Sequence, residues 1–190
     1  MIAAEPYLWT REQFDRMAEM DLLGPDARVE LIGGEIVQMA PQDPEHTIVM
    51  MGVSRLLIAA FGPDFHIRNQ VPFVIGSMSE PEPDIAIIEG DYRVYRKEHP
   101  TTATLVVEIA RSSLSFDREV KTGLYASAGI QEFWIVDVLG RQLEVYREPI
   151  PIASTRFGYG YRVRLLFHPG DVIHPVAKPD ASIAVAELFS

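Results

Sequence analysis

Two short, almost continuously apolar runs stand out in the middle of the chain. Residues 83–88 and 104–109 are both rich in β-branched side chains, a pattern typical of buried β-strands. Each run carries one carboxylate: Asp84 lies at the start of the first run and Glu108 near the end of the second. If the strands are antiparallel neighbours, these two ends meet at one edge of a sheet. The pattern therefore predicts that Asp84 and Glu108 converge.

Helical spacing of apolar residues predicts two helices in the N-terminal third. Thr10 can cap the first, which should extend to about Met20 and be broken by the Gly-Pro-Asp sequence at residues 24–26. The second should cover residues 45–60, because its apolar side chains recur on one helical face. His46 lies in the first turn of this helix, close to a helix N-terminus, where anions are favoured.

Several other segments have the character of strands. Residues 28–32 and 35–39 flank Gly33 and Gly34, and because tight hairpin turns need positive φ angles, this arrangement predicts a β-hairpin. Glu30 lies in the first of these strands, and the alternation does not decide which face it occupies. Further strand-like segments are residues 65–69, 71–75, 133–136, 141–146 and 162–167.

A third helix should cover about residues 115–128, between two of the predicted strands. Such a strand–helix–strand unit predicts a parallel crossover. Asp117, Lys121 and Tyr125 follow one another along one ridge of this helix at four-residue spacing. Lys121 is therefore either a solvated partner of Asp117 or a long side chain that reaches the sheet.

The composition is that of one globular domain. With 190 residues and 47% hydrophobic content, the chain can bury one sizeable hydrophobic core, so we expect a single domain over residues 1–190. Within it we expect a central fold at about residues 10–147, followed by a C-terminal β-rich extension. The absence of cysteine excludes disulfides, thiolate nucleophiles and cysteine metal ligands. We expect a cytoplasmic protein without membrane association, because the sequence has neither a signal-peptide pattern nor an apolar run near the roughly 18 residues of a membrane span.

The formal net charge of −10 argues against a protein that simply coats nucleic acid, because neutralising phosphates requires clustered Lys and Arg. It does not exclude an enzyme that acts on nucleic acid, since Arg111, Arg118 and Lys121 would form a local basic patch beside Glu108. Convergent carboxylates repel one another unless a cation or a shared proton intervenes. Mg²⁺ is typically held by one or two carboxylates together with water and phosphate oxygens. The alternative is that the two carboxylates are simply solvated, as is common at strand ends.

Six parts of the chain form a distinctive combination. They are residues 29–37, His46, and residues 83–84, 105–109, 121–126 and 128–137. The most characteristic feature is Gly129, which should end the third helix just before the aromatic strand that contains Phe133 and Trp134. In this combination the chain resembles the PD-(D/E)XK nuclease fold and, more closely, the bacterial Uma-two family of proposed restriction endonucleases.

The resemblance implies an α/β protein with a restriction-endonuclease-like mixed β-sheet flanked by helices, an N-terminal helix and a β-hairpin. It implies an endonuclease that hydrolyses DNA phosphodiester bonds with Mg²⁺, or Mn²⁺ as a substitute. Asp84 and Glu108 would be metal ligands, and the Ile109 carbonyl a further oxygen ligand. The signature has a lysine two residues after the second acid, where this chain has Ala110. The resemblance implies that Lys121 takes its place, to orient or activate the attacking water or to stabilise charge on the phosphate.

Three further residues are candidate members of the site. Glu30 would be a third acid with a water-mediated or second metal contact, or else an ordinary exposed strand carboxylate. His46 would bind a phosphate oxygen or a water on the metal, or else be a surface residue. Tyr125 would hydrogen-bond within the site, or else serve only as packing with a satisfied hydroxyl.

Two interpretations of the function stay open. The first is a DNA endonuclease, expected to be a homodimer because cutting both strands of a duplex suits two-fold symmetry. The alternative is a non-catalytic binding or oligomerisation module that kept the nuclease fold. The acidic charge and the missing lysine at position 110 favour the module, whereas the presence of Asp84, Glu108 and Lys121 opposes it.

Overall fold

The computed structural model describes residues 4–24, 27–41 and 43–190. Helix α1 (Arg11–Glu19) starts after Thr10, whose hydroxyl accepts a hydrogen bond from the Gln13 N–H, so the predicted cap is confirmed. Of the break predicted at residues 24–26, the proline and the aspartate lie outside the described residues. Met20 follows α1 and is 68% exposed, so it does not belong to the buried side of that helix.

The hairpin predicted around two glycines is confirmed. Strands β1 (Val29–Ile32) and β2 (Glu35–Gln38) pair antiparallel. Gly33 and Gly34 have φ angles of 59° and 83°, as a two-residue turn with positive φ at both positions requires. The Gly33 N–H donates to the Ser79 hydroxyl at 2.8 Å, which ties the turn to a distant part of the chain.

Helix α2 (Pro44–Phe61) starts one residue earlier than predicted. Asp43 caps it, because its carboxylate accepts a hydrogen bond from the His46 N–H at 3.0 Å. Pro44 suits the first position of the helix, where its missing N–H costs no hydrogen bond. The cap fixes His46 in the first turn, while Val53 and Leu57 bury the helix against the sheet.

A mixed six-stranded sheet follows, in which the spatial order of the strands equals their order in the chain. Its strands are β3 (Phe65–Arg68), β4 (Ile85–Glu89), β5 (Leu105–Ala110), β6 (Glu132–Asp137), β7 (Gln142–Pro151) and β8 (Tyr159–Phe167). β5 and β6 are parallel, and the other neighbouring strands are antiparallel. The predicted antiparallel pairing of the two apolar runs and the predicted parallel crossover are both confirmed.

The segment at residues 71–75 is not a strand, contrary to the sequence-based prediction. Ile75 forms an isolated bridge to Ser79, and the rest of the segment has no ladder partner. Gln70 has a positive φ of 50°, which turns the chain away from β3. Pro72 lacks the N–H that a ladder requires. The segment instead bonds to loops, as in the hydrogen bond from the Phe73 N–H to the Pro81 carbonyl.

The helix between β5 and β6 changes its winding along its length. It consists of α3 (Leu114–Phe116), a π-helical segment (Asp117–Lys121) and α4 (Thr122–Ser127). It starts at Leu114, one residue before the predicted start at residue 115, and the Ser115 hydroxyl donates to the Glu119 carboxylate within the helix. π-helical segments are rare and are frequent at functional sites.

Helices cover both faces of the sheet. Val107 and Ile109 of β5 belong to the apolar cluster beneath α2, whereas Val106 and Ala110 belong to the cluster that contains Tyr125 of α4. Because side chains alternate along a strand, Glu108 points to the α4 side.

The C-terminal region is part of the same structure. After β8 come the short strands β9 (Val172–Ile173) and β10 (Ile183–Ala184) and a final 3₁₀ segment (Val185–Phe189), whose Leu188 is buried in the cluster beneath α2. No helix in the described part of the chain is long and apolar enough to cross a bilayer.

Candidate active site

The two predicted carboxylates meet at one end of the β4–β5 pair. Ile85 lies opposite Val107 in the ladder, which brings Asp84, the residue before β4, beside Glu108. The Asp84 N–H donates to the Glu108 carboxylate at 3.3 Å, and the Asp84 carboxylate accepts the Ile109 N–H at 2.8 Å. The structure therefore brings all three of the predicted metal-ligand residues together.

Asp84 is held in its ionised form by hydrogen-bond donors on both carboxylate oxygens. His46 Nε2 lies 3.1 Å from one oxygen, and Gln70 Nε2 donates to the other at 2.9 Å. Burial alone would raise the pKa of Asp84, but the bonds from His46, Ile109 and Gln70 outweigh it and lower the pKa below its ordinary value. In return, the hydrogen bond to Asp84 raises the pKa of His46.

Glu108 has the opposite electrostatic environment. It is 3% exposed, and one carboxylate oxygen accepts hydrogen bonds from Lys121 Nζ at 2.9 Å and from the Tyr125 hydroxyl at 2.6 Å. Burial raises the pKa of Glu108 to about 8, because Lys121 offsets the loss of hydration only in part and Asp84 adds repulsion. Near neutral pH this carboxyl group therefore holds a proton unless a further cation approaches.

Lys121 is buried beneath the sheet and is not a solvated helix residue. It is 1% exposed and contacts Glu30 at 3.3 Å in addition to Glu108. Burial opposes its charge, but the carboxylates of Glu108 and Glu30 outweigh that effect and raise the pKa of Lys121. The interpretation of Lys121 as a surface partner of Asp117 is wrong: Asp117 accepts a hydrogen bond from the Ser113 hydroxyl at 2.7 Å and is itself buried.

Glu30 joins the site from the hairpin and is not an exposed strand carboxylate. It is 2% exposed, and one of its oxygens contacts Lys121. Its other oxygen, Oε2, is buried and has no hydrogen-bond partner within the described part of the chain. A buried acceptor without a donor is costly, so this oxygen points to a group that protein atoms do not supply.

The basic patch predicted beside Glu108 forms only in part. Arg111 lines the same pocket but is engaged by Asp43 at 3.3 Å and Glu45 at 3.0 Å. Arg118 does not take part, because its guanidinium donates to the buried Glu144 of β7 at 2.8 Å. Sequence proximity placed Arg118 near the site, but its side chain reaches Glu144 on β7 from the π-helical segment, whereas Lys121 reaches Glu108 on β5.

The site is a small polar pocket of about 90 Å³. Its lining includes the carboxylates of five acidic residues in addition to Asp43: Glu30, Glu82, Asp84, Glu108 and Asp117. Among the described residues no group of three or more His, Cys, Asp or Glu side chains is arranged to hold a metal ion. The donor set nevertheless fits a hard divalent cation held by two carboxylates. Asp84 and Glu108 offer oxygen ligands, the pKa of Glu108 is raised, and Glu30 Oε2 has no hydrogen-bond donor among the described residues.

Gln70 is a member of the site that the sequence did not reveal. It fixes one oxygen of Asp84 from a backbone with positive φ, a conformation that costs energy for a residue with a side chain. Its position before Val71 carries no periodic signal. Tyr125, by contrast, was indicated by its spacing from Lys121 on the same ridge.

The fold is shared with known proteins. A crystal structure described as a putative nuclease belonging to DUF820, from Anabaena variabilis ATCC 29413, is similar to 95% of this chain and 97% of its own, with a TM-score of 0.72 and 16% identity. This likeness confirms the predicted mixed sheet flanked by helices. No curated protein matches the chain. The model of the Uma2 family, described as "Putative restriction endonuclease", matches residues 11–185, and the protein therefore belongs to that family.

Proposed function

We propose that this protein is a divalent-metal-dependent endonuclease that hydrolyses phosphodiester bonds in DNA. The observation that carries the proposal is the meeting of Asp84, Glu108 and Lys121 in one pocket, with distances of 2.9 to 3.3 Å linking Glu108 to the other two residues. The family match supports a nuclease-like function.

Asp84 and Glu108 would hold the ion, with the Ile109 carbonyl as a further oxygen ligand. Mg²⁺, or Mn²⁺ in its place, would act there as a Lewis acid that polarises the phosphate and lowers the pKa of water. Asp84 is already ionised and oriented by its donors, whereas Glu108 must release its proton before it can act as an anionic ligand.

Lys121 is assigned an electrostatic role. Its pKa is raised, so at neutral pH it carries a charge and does not accept a proton from water. Its ammonium would fix the Glu108 carboxylate and stabilise negative charge that develops on the phosphate. Glu30 orients Lys121 through their contact at 3.3 Å and would receive a water on its free oxygen.

His46 would bind the substrate and position Asp84. Its Nε2 faces the Asp84 carboxylate, and its Nδ1 is buried without a partner in the described chain. The raised pKa increases the fraction of imidazolium near neutral pH, which favours contact with a phosphate oxygen.

The test is cleavage of plasmid and of single-stranded, duplex and branched oligonucleotides with Mg²⁺, Mn²⁺ or EDTA. We expect metal-dependent cleavage by the native protein, and loss of cleavage in Asp84→Asn and Lys121→Met. Asp180→Asn, a change at an exposed aspartate far from the pocket lining, is the matched control. Equal cleavage by Asp84→Asn and the control would refute the proposal.

A second candidate is a non-catalytic binding or oligomerisation module. Two observations favour it: both oxygens of Asp84 already accept protein hydrogen bonds, and the net charge is −10. The two functions differ in how ions affect DNA binding. The endonuclease should bind DNA with calcium and cut it with magnesium, whereas the module should do neither.

A homodimer is the assembly that we propose for either function. β8 is the last strand of the sheet, and it exposes Leu165 and Leu166. An edge strand with unpaired backbone groups can pair with a second copy. Sedimentation equilibrium of the native protein and of a Leu166→Lys variant measures this, and a monomeric native protein would contradict it.

A further inference from the structure

A second concave surface lies beside β3, at the edge of the sheet opposite β8. This open groove, of about 590 Å³, runs between β3 and a 3₁₀ segment (Tyr92–Arg96), and we call it the β3 groove. Its nine lining residues include three arginines and a histidine, and no aspartate or glutamate. In a chain with a net charge of −10, this is a locally basic surface.

Aromatic rings alternate with the basic groups in the β3 groove. Tyr92 is 59% exposed, with the Arg93 guanidinium 4.9 Å from the centre of its ring. Arg68 approaches the ring of Tyr95 at 6.0 Å. His66 lies against both tyrosines. Surfaces that bind single-stranded nucleic acid combine these two features, cationic groups for phosphates and ring faces for bases.

The charges of the β3 groove are only partly neutralised from within the described part of the protein. Arg93 is paired with Asp91 at 3.3 Å, but Arg68 and Arg96 form no ion pair with a carboxylate in the part of the chain that the structure describes. Asp64, Glu89 and Asp91 line a neighbouring concavity that shares His66, Tyr92 and Arg93 with the groove. Two guanidinium groups are thus available for an anionic partner.

The β3 groove is linked to the candidate active site through neighbouring residues of the chain. Arg68, Asn69 and Gln70 are consecutive, and the first two line the groove. Asn69 donates to the Asp84 carbonyl at 3.4 Å, and Gln70 donates to the Asp84 carboxylate at 2.9 Å. One Cα–Cα step of about 3.8 Å therefore separates Asn69 in the groove lining from Gln70, which holds the site. One nucleic-acid strand can span both.

We propose that the β3 groove binds single-stranded DNA next to the phosphate that is cleaved. Arg68 and Arg96 contact backbone phosphates, and Tyr92 stacks on an unpaired base. The occupant is a single strand rather than a duplex, because a stacking tyrosine needs a base whose face is free. This inference rests on the proposed function for the position of the cleaved phosphate, but binding by the groove can be measured without cleavage.

The test is fluorescence anisotropy with a labelled 20-nucleotide oligothymidylate, in calcium and at several salt concentrations. Arg68→Ala/Arg96→Ala should weaken binding about tenfold and reduce the slope of log K against log salt by about 1.4, since each phosphate contact on a single strand contributes about 0.7. Tyr92→Ala should weaken binding by a similar factor, whereas Tyr92→Phe should retain it. The matched control is Arg55→Ala/Arg162→Ala, which removes the same charge from exposed positions outside the groove.

Several outcomes overturn the inference. One is an equal loss of affinity in the control pair, which would indicate a general charge effect. Another is an affinity for the oligonucleotide that equals the native value in Arg68→Ala/Arg96→Ala or in Arg96→Ala alone. Arg96 is exposed, so its replacement does not disturb folding. An equal loss for duplex DNA would also overturn it. If the groove variants cleave DNA like the native protein, the proposed role of the groove is wrong and the proposed nuclease function is kept. If the groove variants lose DNA binding while neither they nor the native protein cleave DNA, the groove is supported and the nuclease function is wrong.

Discussion

Replacing Glu108 with glutamine removes a buried charge while keeping the shape of the side chain. The pKa of Glu108 is about 8 in the folded protein, against an ordinary value of 4.5. Between these two pH values the folded state binds more protons than the unfolded state, so the free energy of unfolding falls as the pH rises. At about 1.36 kcal/mol per pKa unit, ionisation of this one group costs at most roughly 5 kcal/mol of stability above pH 8.

The Glu108→Gln variant should lack this loss. Its amide oxygen can still accept from Lys121 and Tyr125, but it has no proton to release. His46 and Asp117 also have raised pKa values, Asp117 to about 6, and both titrate in the native protein and in the variant. The difference between the two proteins therefore reports the ionisation of Glu108 together with its interaction with Asp117. We expect similar stability near pH 5 and a more stable variant above pH 8.

The assay is urea unfolding followed by circular dichroism, from pH 5 to pH 9, in EDTA and then with Mn²⁺. Glu98→Gln, at an exposed position, should reproduce the native pH dependence. Mn²⁺ should stabilise the native protein more at pH 8 than at pH 6, because binding displaces the Glu108 proton, and it should stabilise Glu108→Gln little. Parallel stability curves for native protein and variant in EDTA would refute the assigned pKa.

Three further changes test other parts of the structure. Lys121→Met should lower the free energy of unfolding in urea by about 3 to 5 kcal/mol, because it leaves buried carboxyl groups without their cation. A loss no larger than that of Lys97→Met, at an exposed position, would contradict the burial of Lys121. By NMR, the pKa of His46 should lie above 6.5 in the native protein and should be lower in Asp84→Asn. The stability that His46 contributes should be complete below pH 6.5 and should be lost as the pH rises through the raised pKa. An equal pKa in the two proteins would contradict the contact between His46 and Asp84. Gly34→Ala should lower stability by more than about 1 kcal/mol in thermal melts, since φ is 83° and an added Cβ would lie 2.7 Å from a neighbouring side chain; native stability would contradict the turn.

The sequence was sufficient where burial alone decides the structure. The apolar runs that became β4 and β5 are buried on both faces, and a strand in that position needs apolar residues almost throughout. The hairpin was predictable because its turn needs positive φ at two positions, and the sequence places Gly33 and Gly34 there. Convergence of Asp84 and Glu108 then followed from the antiparallel pairing, without knowledge of any other contact.

Other features depend on contacts between distant parts of the chain. Gln70 reaches Asp84 only because a loop with positive φ crosses the end of β4. Arg118 and Lys121 are three residues apart on one helix, yet they bond to carboxylates on different strands, Glu144 and Glu108. No periodicity encodes such choices, since both residues lie within the π-helical segment Asp117–Lys121, whose winding differs from that of an α-helix.

The charge balance of the pocket gives the clearest physical link between stability and the proposed function. One ammonium, Lys121, contacts two buried carboxylates, Glu108 and Glu30, while Asp84 lies beside Glu108. Burial removes hydration from this set and Lys121 compensates for it only in part, so the pKa of Glu108 is raised. Glu30 Oε2, in addition, has no donor among the residues that the structure describes. An apolar core of the same volume would avoid both costs. The proposed divalent cation would offset this unbalanced charge, and a phosphate bound beside it would then not add net negative charge to the site.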